Sequence, residues 1–151
     1  MTDPRIGAAM DIRFGTTVES FMKYVTDLGL DHVEFKREYL AGHPNTPTPE
    51  RVGELADEYG VTLSYHAPFR DWNMGSYDET VRQDSVARVK RTIDDAATAG
   101  ATSVVVHGGS IPHRYPEWVR QRARKNARLS LAESAEYAQL AGVSLCLENQ
   151  P

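Results

Sequence analysis

Several features that would assign a function at once are scarce in this sequence. Its one cysteine, Cys146, excludes an internal disulfide, and we expect a buried, unreactive thiol in a reducing compartment. No apolar run approaches the length of a membrane span, and the N-terminus leads straight into the first predicted strand, so we expect a cytoplasmic protein. The sequence has 17 basic and 21 acidic residues, which gives a net charge of -4. We therefore expect neither a nucleic acid nor a membrane as partner.

A glycine-rich phosphate loop is also missing. After the first predicted strand, residues 6–10, the chain continues through Asp11 and Arg13 to Gly15, which is not the pattern of a dinucleotide-binding sheet. The rest of the composition is ordinary, with 40% hydrophobic and 25% charged residues in 151. These values predict a single globular domain, residues 1–151, with a hydrophobic core.

What the sequence does contain is a repeat. Four segments run from a glycine through a short apolar stretch to a polar residue, and they end at Glu34, His66, His107 and Glu148. These end residues are separated by 32, 41 and 41 positions. A glycine suits the left-handed position after a helix, and the period fits one strand, one helix and their loops. The repeat predicts a parallel α/β fold.

Four helices are predicted between the strands. Thr16 and Glu19 form a capping-box pattern for the first helix, and Thr48 with Pro49 predicts the start of the second. The third covers residues 78–99, and the fourth begins near Pro116. Apolar positions predicted to face the core in the first and third helices are Val18, Phe21, Met22, Val25, Leu28, Val81, Val89, Ile93 and Ala96.

The predicted fold class is α/β, of the (β/α) TIM-barrel type. Every recognisable strand ends in a polar residue, which suits a barrel whose strand ends share one site better than a doubly wound sheet. About five strands and four helices cannot close an eight-stranded barrel, so we interpret the chain as the first part of one. Unpaired outer strands and uncovered inward-facing apolar side chains predict self-association and no activity for the chain alone.

Three motifs at the strand ends resemble one family. They are His66-Ala67-Pro68-Phe69, Val106-His107-Gly108-Gly109-Ser110 and Leu147-Glu148-Asn149. In order and spacing they resemble the xylose-isomerase-like TIM barrels, which include sugar-phosphate isomerases and epimerases and endonuclease IV. The resemblance implies a divalent-metal site at the barrel mouth. It also implies that Glu148 binds the metal and transfers protons, and that His66 and His107 line the pocket; in the endonuclease branch such histidines are metal ligands.

The chemistry of these side chains agrees with that implication. Isomerising a keto sugar requires a carboxylate base and a cation that stabilises an enediolate, and Mn²⁺ or Mg²⁺ accepts carboxylate and imidazole ligands. The leading hypothesis is a divalent-metal-dependent isomerase or epimerase of a sugar, sugar phosphate or cyclitol, with Glu148, His107 and His66 as catalytic residues and metal ligands. One alternative is an endonuclease IV-like phosphodiesterase that uses zinc on DNA. Another is a non-catalytic fragment. The sequence leaves open whether the protein forms a homo-oligomer.

Five further residues are predicted substrate contacts: Glu34, Phe69, Trp72, Asn149 and Arg114. For each, another role stays open. Glu34 can instead pair with Lys36 or Arg37, and the two aromatic residues can serve ordinary loop packing. Asn149 can orient Glu148, and Arg114 can belong to the solvated basic face of the fourth helix. The remaining histidines lie outside the strand-end pattern, so we assign structural or surface roles to His32, His43 and His113.

Overall fold

A computed structural model describes residues 5–10, 17–110 and 114–149. Within these ranges the strands are β1 (Gly7–Met10), β2 (His32–Lys36), β3 (Thr62–His66), β4 (Ser103–His107) and β5 (Ser144–Glu148). The helices are α1 (Val18–Asp27), α2 (Arg37–Gly42), α3 (Pro49–Tyr59), α4 (Glu79–Thr98) and α5 (Glu117–Leu140). All neighbouring strands are parallel, in the order β1-β2-β3-β4-β5. This arrangement confirms an incomplete α/β barrel.

Side chains of Thr and Asp start three of the helices. Thr17 caps α1, because its Oγ1 accepts the Ser20 N–H at 3.1 Å. The predicted capping box one residue earlier is therefore wrong, and Thr16 itself lies outside the described residues. Thr48 caps α3 with Pro49 in the first turn, as predicted, and Asp78 caps α4. Local sequence thus sets where these helices begin.

The glycines of the repeat end the helices as predicted. Each of the four has a φ between +68° and +74°, the left-handed conformation that side chains with a Cβ rarely adopt: Gly29, Gly60, Gly100 and Gly142. Just beyond them, Val61, Ala101 and Val143 donate their backbone N–H groups back to the preceding helix, at 2.8–3.0 Å. Each glycine therefore turns the chain from a helix directly into the next strand.

The core lies between the sheet and the helices. Alternate strand residues such as Phe35 and Val104 are fully buried there against helix residues such as Phe21 and Ile93. Two predicted core residues are exposed instead. Leu28 lies beyond the last turn of α1 and is 57% exposed. Val81 is 38% exposed, because the inward position in the first turn of α4 belongs to Arg82, which bonds to Ser130 of α5.

The opposite, inner face of the sheet is mostly polar. It carries the other set of alternate residues: Gly7, Ala9, His32, Glu34, Lys36, Thr62, Ser64, His66, Ser103, Val105, His107, Ser144, Cys146 and Glu148. The prediction of apolar inward-facing side chains is therefore wrong. Cys146 is exposed, not buried, because its side chain points to this open inner face. An apolar run predicts a strand, but it does not tell which side of that strand is covered.

One helix was not predicted. α2 occupies a stretch for which the sequence predicted no helix, and tertiary contacts hold it. The Nε of Arg37 lies 2.5 Å from Oδ2 of Asp95 in α4, and Tyr39 and Leu40 are buried. At six residues, α2 is too short to be stable by helix propensity alone. This helix positions the segment that follows β2 beside the carboxyl end of the sheet.

The outer faces of the two long helices are polar. α4 has 20 residues and α5 has 24, and charged side chains are frequent on both. Lys90 of α4 pairs with Glu133 of α5 at 2.8 Å, which links the two helices. Among the residues that the structure describes, no helix combines the length and the apolar character that crossing a membrane requires.

Candidate functional site

Three of the predicted site residues meet at the carboxyl end of the sheet. His66 ends β3, His107 ends β4 and Glu148 ends β5. The two histidines approach through their Nε2 atoms, 3.1 Å apart. Oε2 of Glu148 lies 3.3 Å from Nε2 of His66 and 3.6 Å from Nε2 of His107. His107 and Glu148 are register partners on adjacent strands, so the backbone itself sets the distance between them.

The backbone fixes the protonation pattern of His66. Its Nδ1 lies 2.8 Å from the carbonyl oxygen of Ala67. A carbonyl oxygen only accepts hydrogen bonds, so Nδ1 carries the proton and donates it. In the neutral ring, Nε2 then has a free lone pair that points toward His107 and Glu148. An outer hydrogen bond of this kind is how metal-ligating histidines are oriented.

His107 favours the neutral form. Burial lowers its pKa from the usual 6.5, the nearby His66 ring lowers it further, and Glu148 partly opposes both. The Nδ1 atom of His107 is buried and has no hydrogen-bond partner among the described residues. A neutral imidazole is the form that binds a metal ion. The ring is therefore ready to act as a ligand through Nε2.

The separations of these three atoms are those of ligands that share one metal ion. Nε2 of His66 and Oε2 of Glu148 lie 3.3 Å apart, within hydrogen-bond distance. Two ligand atoms that each lie about 2.0–2.2 Å from one metal ion are separated by about 3 Å. The 3.1–3.6 Å separations match that value. His66, His107 and Glu148 can thus hold a metal ion.

Phe69 forms a wall beside the two histidines. Its ring packs edge-on against His66 and against His107, with centroids 5.1 Å apart in both cases. Trp72 lies behind it, where both aromatic side chains line a cavity of 40 Å³ that also touches His107. The guanidinium group of Arg88 lies 3.5 Å above the Trp72 ring, so α4 covers one face of that indole. Of the two, Phe69 contacts the rings of both candidate ligands directly.

Glu34 lies deeper on the inner face than the other strand-end residues. β2 continues to Lys36, which is the register partner of His66, so Glu34 sits two residues before the strand end. It lines a hollow of 340 Å³ together with Glu148 and Cys146. Arg37, one of the two basic residues that we considered as partners of Glu34, pairs with Asp95 instead. The structure therefore places Glu34 in the same concavity as Glu148 but not among the three clustered ligand atoms.

The other candidate residues are exposed or bond to their neighbours. Asn149 follows Glu148 and is exposed, and Arg114 is exposed ahead of α5, so their substrate contacts stay predictions. His32 bonds to Thr62 and Ser64, both at 2.9 Å, which agrees with a structural role. Nδ1 of His43 accepts the Asn45 N–H at 3.1 Å. His113 lies outside the described residues.

Two residues near the site were not singled out from the sequence. Lys36 shares the inner face with His66, and the alternation of polar and buried residues along β2 is a signal that could have found it. Glu38 binds the backbone of the loop that carries Phe69. No sequence pattern indicates that contact, because the two residues lie 31 positions apart.

Known proteins resemble this chain in sequence and in fold. It is 37% identical over 98 residues to the uncharacterized protein MJ1311 of Methanocaldococcus jannaschii, a match that covers 65% of the chain and 33% of that protein. A crystal structure of a D-tagatose 3-epimerase-like protein has a TM-score of 0.77 and 29% identity, covering 97% of this chain and 54% of that one. The structure of the TTHB071 protein of Thermus thermophilus, soaked with ZnCl₂, has a TM-score of 0.72 and 27% identity, covering 97% of this chain and 55% of that one.

The chain therefore spans about half the length of these solved relatives, 54% and 55%. Its strand order, with the helices packed on one face of the sheet, agrees with the first half of a barrel. Residues 22–151 match the family model described as xylose isomerase-like TIM barrel. On the strength of that match, which covers most of the chain, this protein belongs to the xylose isomerase-like TIM-barrel family.

Proposed function

We propose that the protein is a divalent-metal-dependent isomerase or epimerase of a keto sugar. The observation that carries the proposal is the cluster of two imidazole Nε2 atoms and one carboxylate oxygen, 3.1–3.6 Å apart, at the carboxyl end of the sheet. Active sites of TIM barrels lie at this end. In the full barrel, other strands would add ligands to these three.

Each residue of the cluster has a distinct part. His66 and His107 would hold the ion through Nε2, and Glu148 would hold it through Oε2. Mn²⁺ and Mg²⁺ suit this mixed set of nitrogen and oxygen ligands. A bound divalent cation would supply positive charge next to the substrate carbonyl, which makes the neighbouring C–H group more acidic. The neutral state of His107 and the fixed Nδ1 proton of His66 prepare both rings for binding.

Glu148 is the proposed base. Its carboxylate is 56% exposed and faces the 340 Å³ hollow, so it can reach a substrate there. It would take a proton from the carbon next to the carbonyl, and the electron pair of that C–H bond would form the enediolate. Return of a proton to the neighbouring carbon gives an isomer. Return to the opposite face of the same carbon gives an epimer, and Glu34 in the same hollow is a candidate donor.

The similar solved structures support a sugar as the substrate. One of them, at 29% identity, is a D-tagatose 3-epimerase-like protein. A ketohexose such as D-tagatose is therefore the first substrate to test. Phe69 offers an apolar surface beside the proposed metal ligands, which suits the C–H face of a sugar ring. Trp72, Asn149 and Arg114 are proposed as outer substrate contacts.

Two measurements on a protein that carries the complete barrel test the proposal, because we expect this half of a barrel to be inactive alone. Isothermal titration with Mn²⁺ should show one ion per site in the wild type and binding weaker by about tenfold or more in His66→Ala and His107→Ala, as loss of a ligand predicts. With D-tagatose in ²H₂O, NMR should show deuterium at the carbon next to the carbonyl. Glu148→Gln should abolish that exchange, whereas Glu136→Gln on the exposed side of α5 should not alter it.

Two outcomes would contradict the proposal. Deuterium exchange by Glu148→Gln within a few-fold of the wild type, with metal present, would remove the role of Glu148. Binding of three ions per chain, with cleavage of DNA at abasic sites and no exchange into the sugar, would instead favour a phosphodiesterase of the endonuclease IV kind.

A further inference from the structure

Glu38 makes an unusual pair of contacts with the loop after β3. Its Oε1 accepts the backbone N–H groups of both Phe69 and Arg70, each at 2.7 Å. The Nε of Arg70 lies 3.8 Å from the other oxygen, Oε2. Hydrogen bonds to an ionised acceptor are about twice as strong as neutral ones. One carboxylate of α2 thus fixes the backbone of two consecutive residues in a different βα unit.

The clamped backbone belongs to the residue whose ring touches both candidate metal ligands. The Phe69 ring is tilted by 62° to His66 and by 60° to His107, at 5.1 Å from each. Its backbone N–H therefore bonds to Glu38 while its side chain packs on the imidazole pair. If the backbone of Phe69 moves, the ring moves with it. Glu38 itself does not belong to the clustered ligand atoms.

Further along the loop, a second anchor holds Asn73. Its backbone N–H donates to Oγ of Ser85 at 3.0 Å, and its Nδ2 donates to the Ser110 carbonyl oxygen at 2.8 Å. The stretch that carries Phe69 and Trp72 is therefore fastened at both ends. Between the anchors, Asp71 has a φ of +62°, a conformation that the fastened chain imposes and that Asp tolerates better than most residues. The loop acts as a fixed wall.

We propose that Glu38 is a positioning residue for Phe69, and through it for the substrate surface beside His66 and His107. This inference rests on the proposed sugar isomerase function, because it concerns the same site. Glu38 would not touch the substrate. It would hold the aromatic wall at the distance that lets a sugar pack against it while the reacting carbon faces Glu148. A misplacement of about 1 Å can cost up to about a hundredfold in rate.

The proposed positioning role requires an acceptor oxygen at residue 38. Two variants, one that keeps this oxygen and one that removes it, therefore test the role. Glu38→Gln keeps an oxygen that can accept both N–H groups, whereas Glu38→Leu keeps the bulk and removes the acceptor. For Glu38→Leu we expect kcat/KM with D-tagatose to fall about tenfold, mostly through a higher KM. Glu38→Gln should restore activity to within about threefold of the wild type, since neutral hydrogen bonds are weaker. Glu136→Leu on the exposed side of α5 is the matched control and should behave as wild type.

Hydrogen exchange provides a readout that does not depend on activity. The amides of Phe69 and Arg70 should exchange about tenfold faster or more in Glu38→Leu than in the wild type, and Glu38→Gln should keep most of the protection. Mn²⁺ affinity should change by less than about threefold in all three variants, because the metal ligands are untouched. Faster exchange with unchanged KM would overturn the proposal.

A double-mutant comparison keeps the test decisive if Glu38→Leu is poorly folded. Phe69→Leu alone should raise KM, and adding Glu38→Gln or Glu38→Leu to it should have little further effect, because both act through the same ring. Fully additive losses would show that Glu38 acts elsewhere. If the wild-type protein with the complete barrel binds no Mn²⁺ and exchanges no deuterium, the proposed function fails. If the wild type is active and the Glu38 variants have the same KM as the wild type, the positioning role fails but the proposed function stands.

Discussion

Ser130 and Ser134 lie one turn apart on α5, and both are fully buried, but their hydroxyl groups differ in hydrogen bonding. Oγ of Ser130 accepts from Nη1 of Arg82 at 3.1 Å and donates to the Met74 carbonyl oxygen at 2.8 Å. Oγ of Ser134 has no partner among the described residues. Ser130 therefore joins α5 to α4 and to the loop behind the candidate site, whereas Ser134 only fills space.

This difference predicts opposite effects of one substitution. Ser130→Ala should lower the free energy of unfolding by about 1–3 kcal/mol, because it removes the partner of Nη1 of the buried Arg82 and of the Met74 carbonyl oxygen. Ser134→Ala should leave stability unchanged or raise it by about 1 kcal/mol, because it removes a buried, unpaired hydroxyl. Urea denaturation of both variants measures the effect. Equal losses would contradict the assigned hydrogen bonds.

A second prediction concerns the approach of the two loops above β3 and β4. Gly109 has a φ of +100°, and a Cβ there would lie 2.2 Å from Oδ1 of Asn73 and 2.8 Å from the backbone N of Gly75. Gly109→Ala should therefore cost about 2–4 kcal/mol, as strain and a collision combine. Gly29→Ala is the matched control, since Gly29 has a φ of +74° with no atom within 4 Å. It should cost only about 1 kcal/mol.

Thermal unfolding of these two variants, compared with the wild type, separates the collision from the conformational cost. A loss for Gly109→Ala no larger than that for Gly29→Ala would show that the two loops move apart easily. That result would also argue against a fixed loop between the anchors at Phe69 and Asn73.

The pKa of His107 predicts how stability depends on pH. Burial lowers this pKa below 6.5 in the folded protein, so the unfolded chain binds more protons than the folded one just below pH 6.5. Stability of the metal-free protein should therefore fall as the pH falls below 6.5. His107→Gln removes this contribution and should show a shallower slope between about pH 7 and pH 5 in urea denaturation. An identical slope in variant and wild type would contradict the lowered pKa.

Glu79 predicts a pH dependence at lower pH. Its hydrogen bonds with Arg82, and then with Gln83, lower the pKa of this carboxyl from 4.5 to about 2. The pair therefore contributes stability above pH 4.5 that is lost as the pH falls toward 2. Glu79→Gln should have a lower Tm than the wild type at about pH 7, and the difference should shrink as the pH falls through that window. A constant difference in Tm would rule out this origin.

Much of the fold follows from local patterns in the sequence. The four repeated glycines end helices because few residues adopt a positive φ, and Thr48 with Pro49 starts α3 through its own side chain and ring. The polar residues after apolar runs mark strand ends. Because parallel strands place their carboxyl ends at one edge of the sheet, His66, His107 and Glu148 could be expected to lie near each other before any coordinates were known.

Only the tertiary structure decided the contacts that join distant parts of the chain. The 3.1 Å between the two imidazoles depends on the register of β3 and β4, and the bond of Glu38 to Phe69 depends on where α2 packs. The exposure of Cys146 depends on which side of β5 is covered. Propensity and periodicity describe a residue and its close neighbours along the chain, whereas these features are set by groups that meet only after the chain has folded.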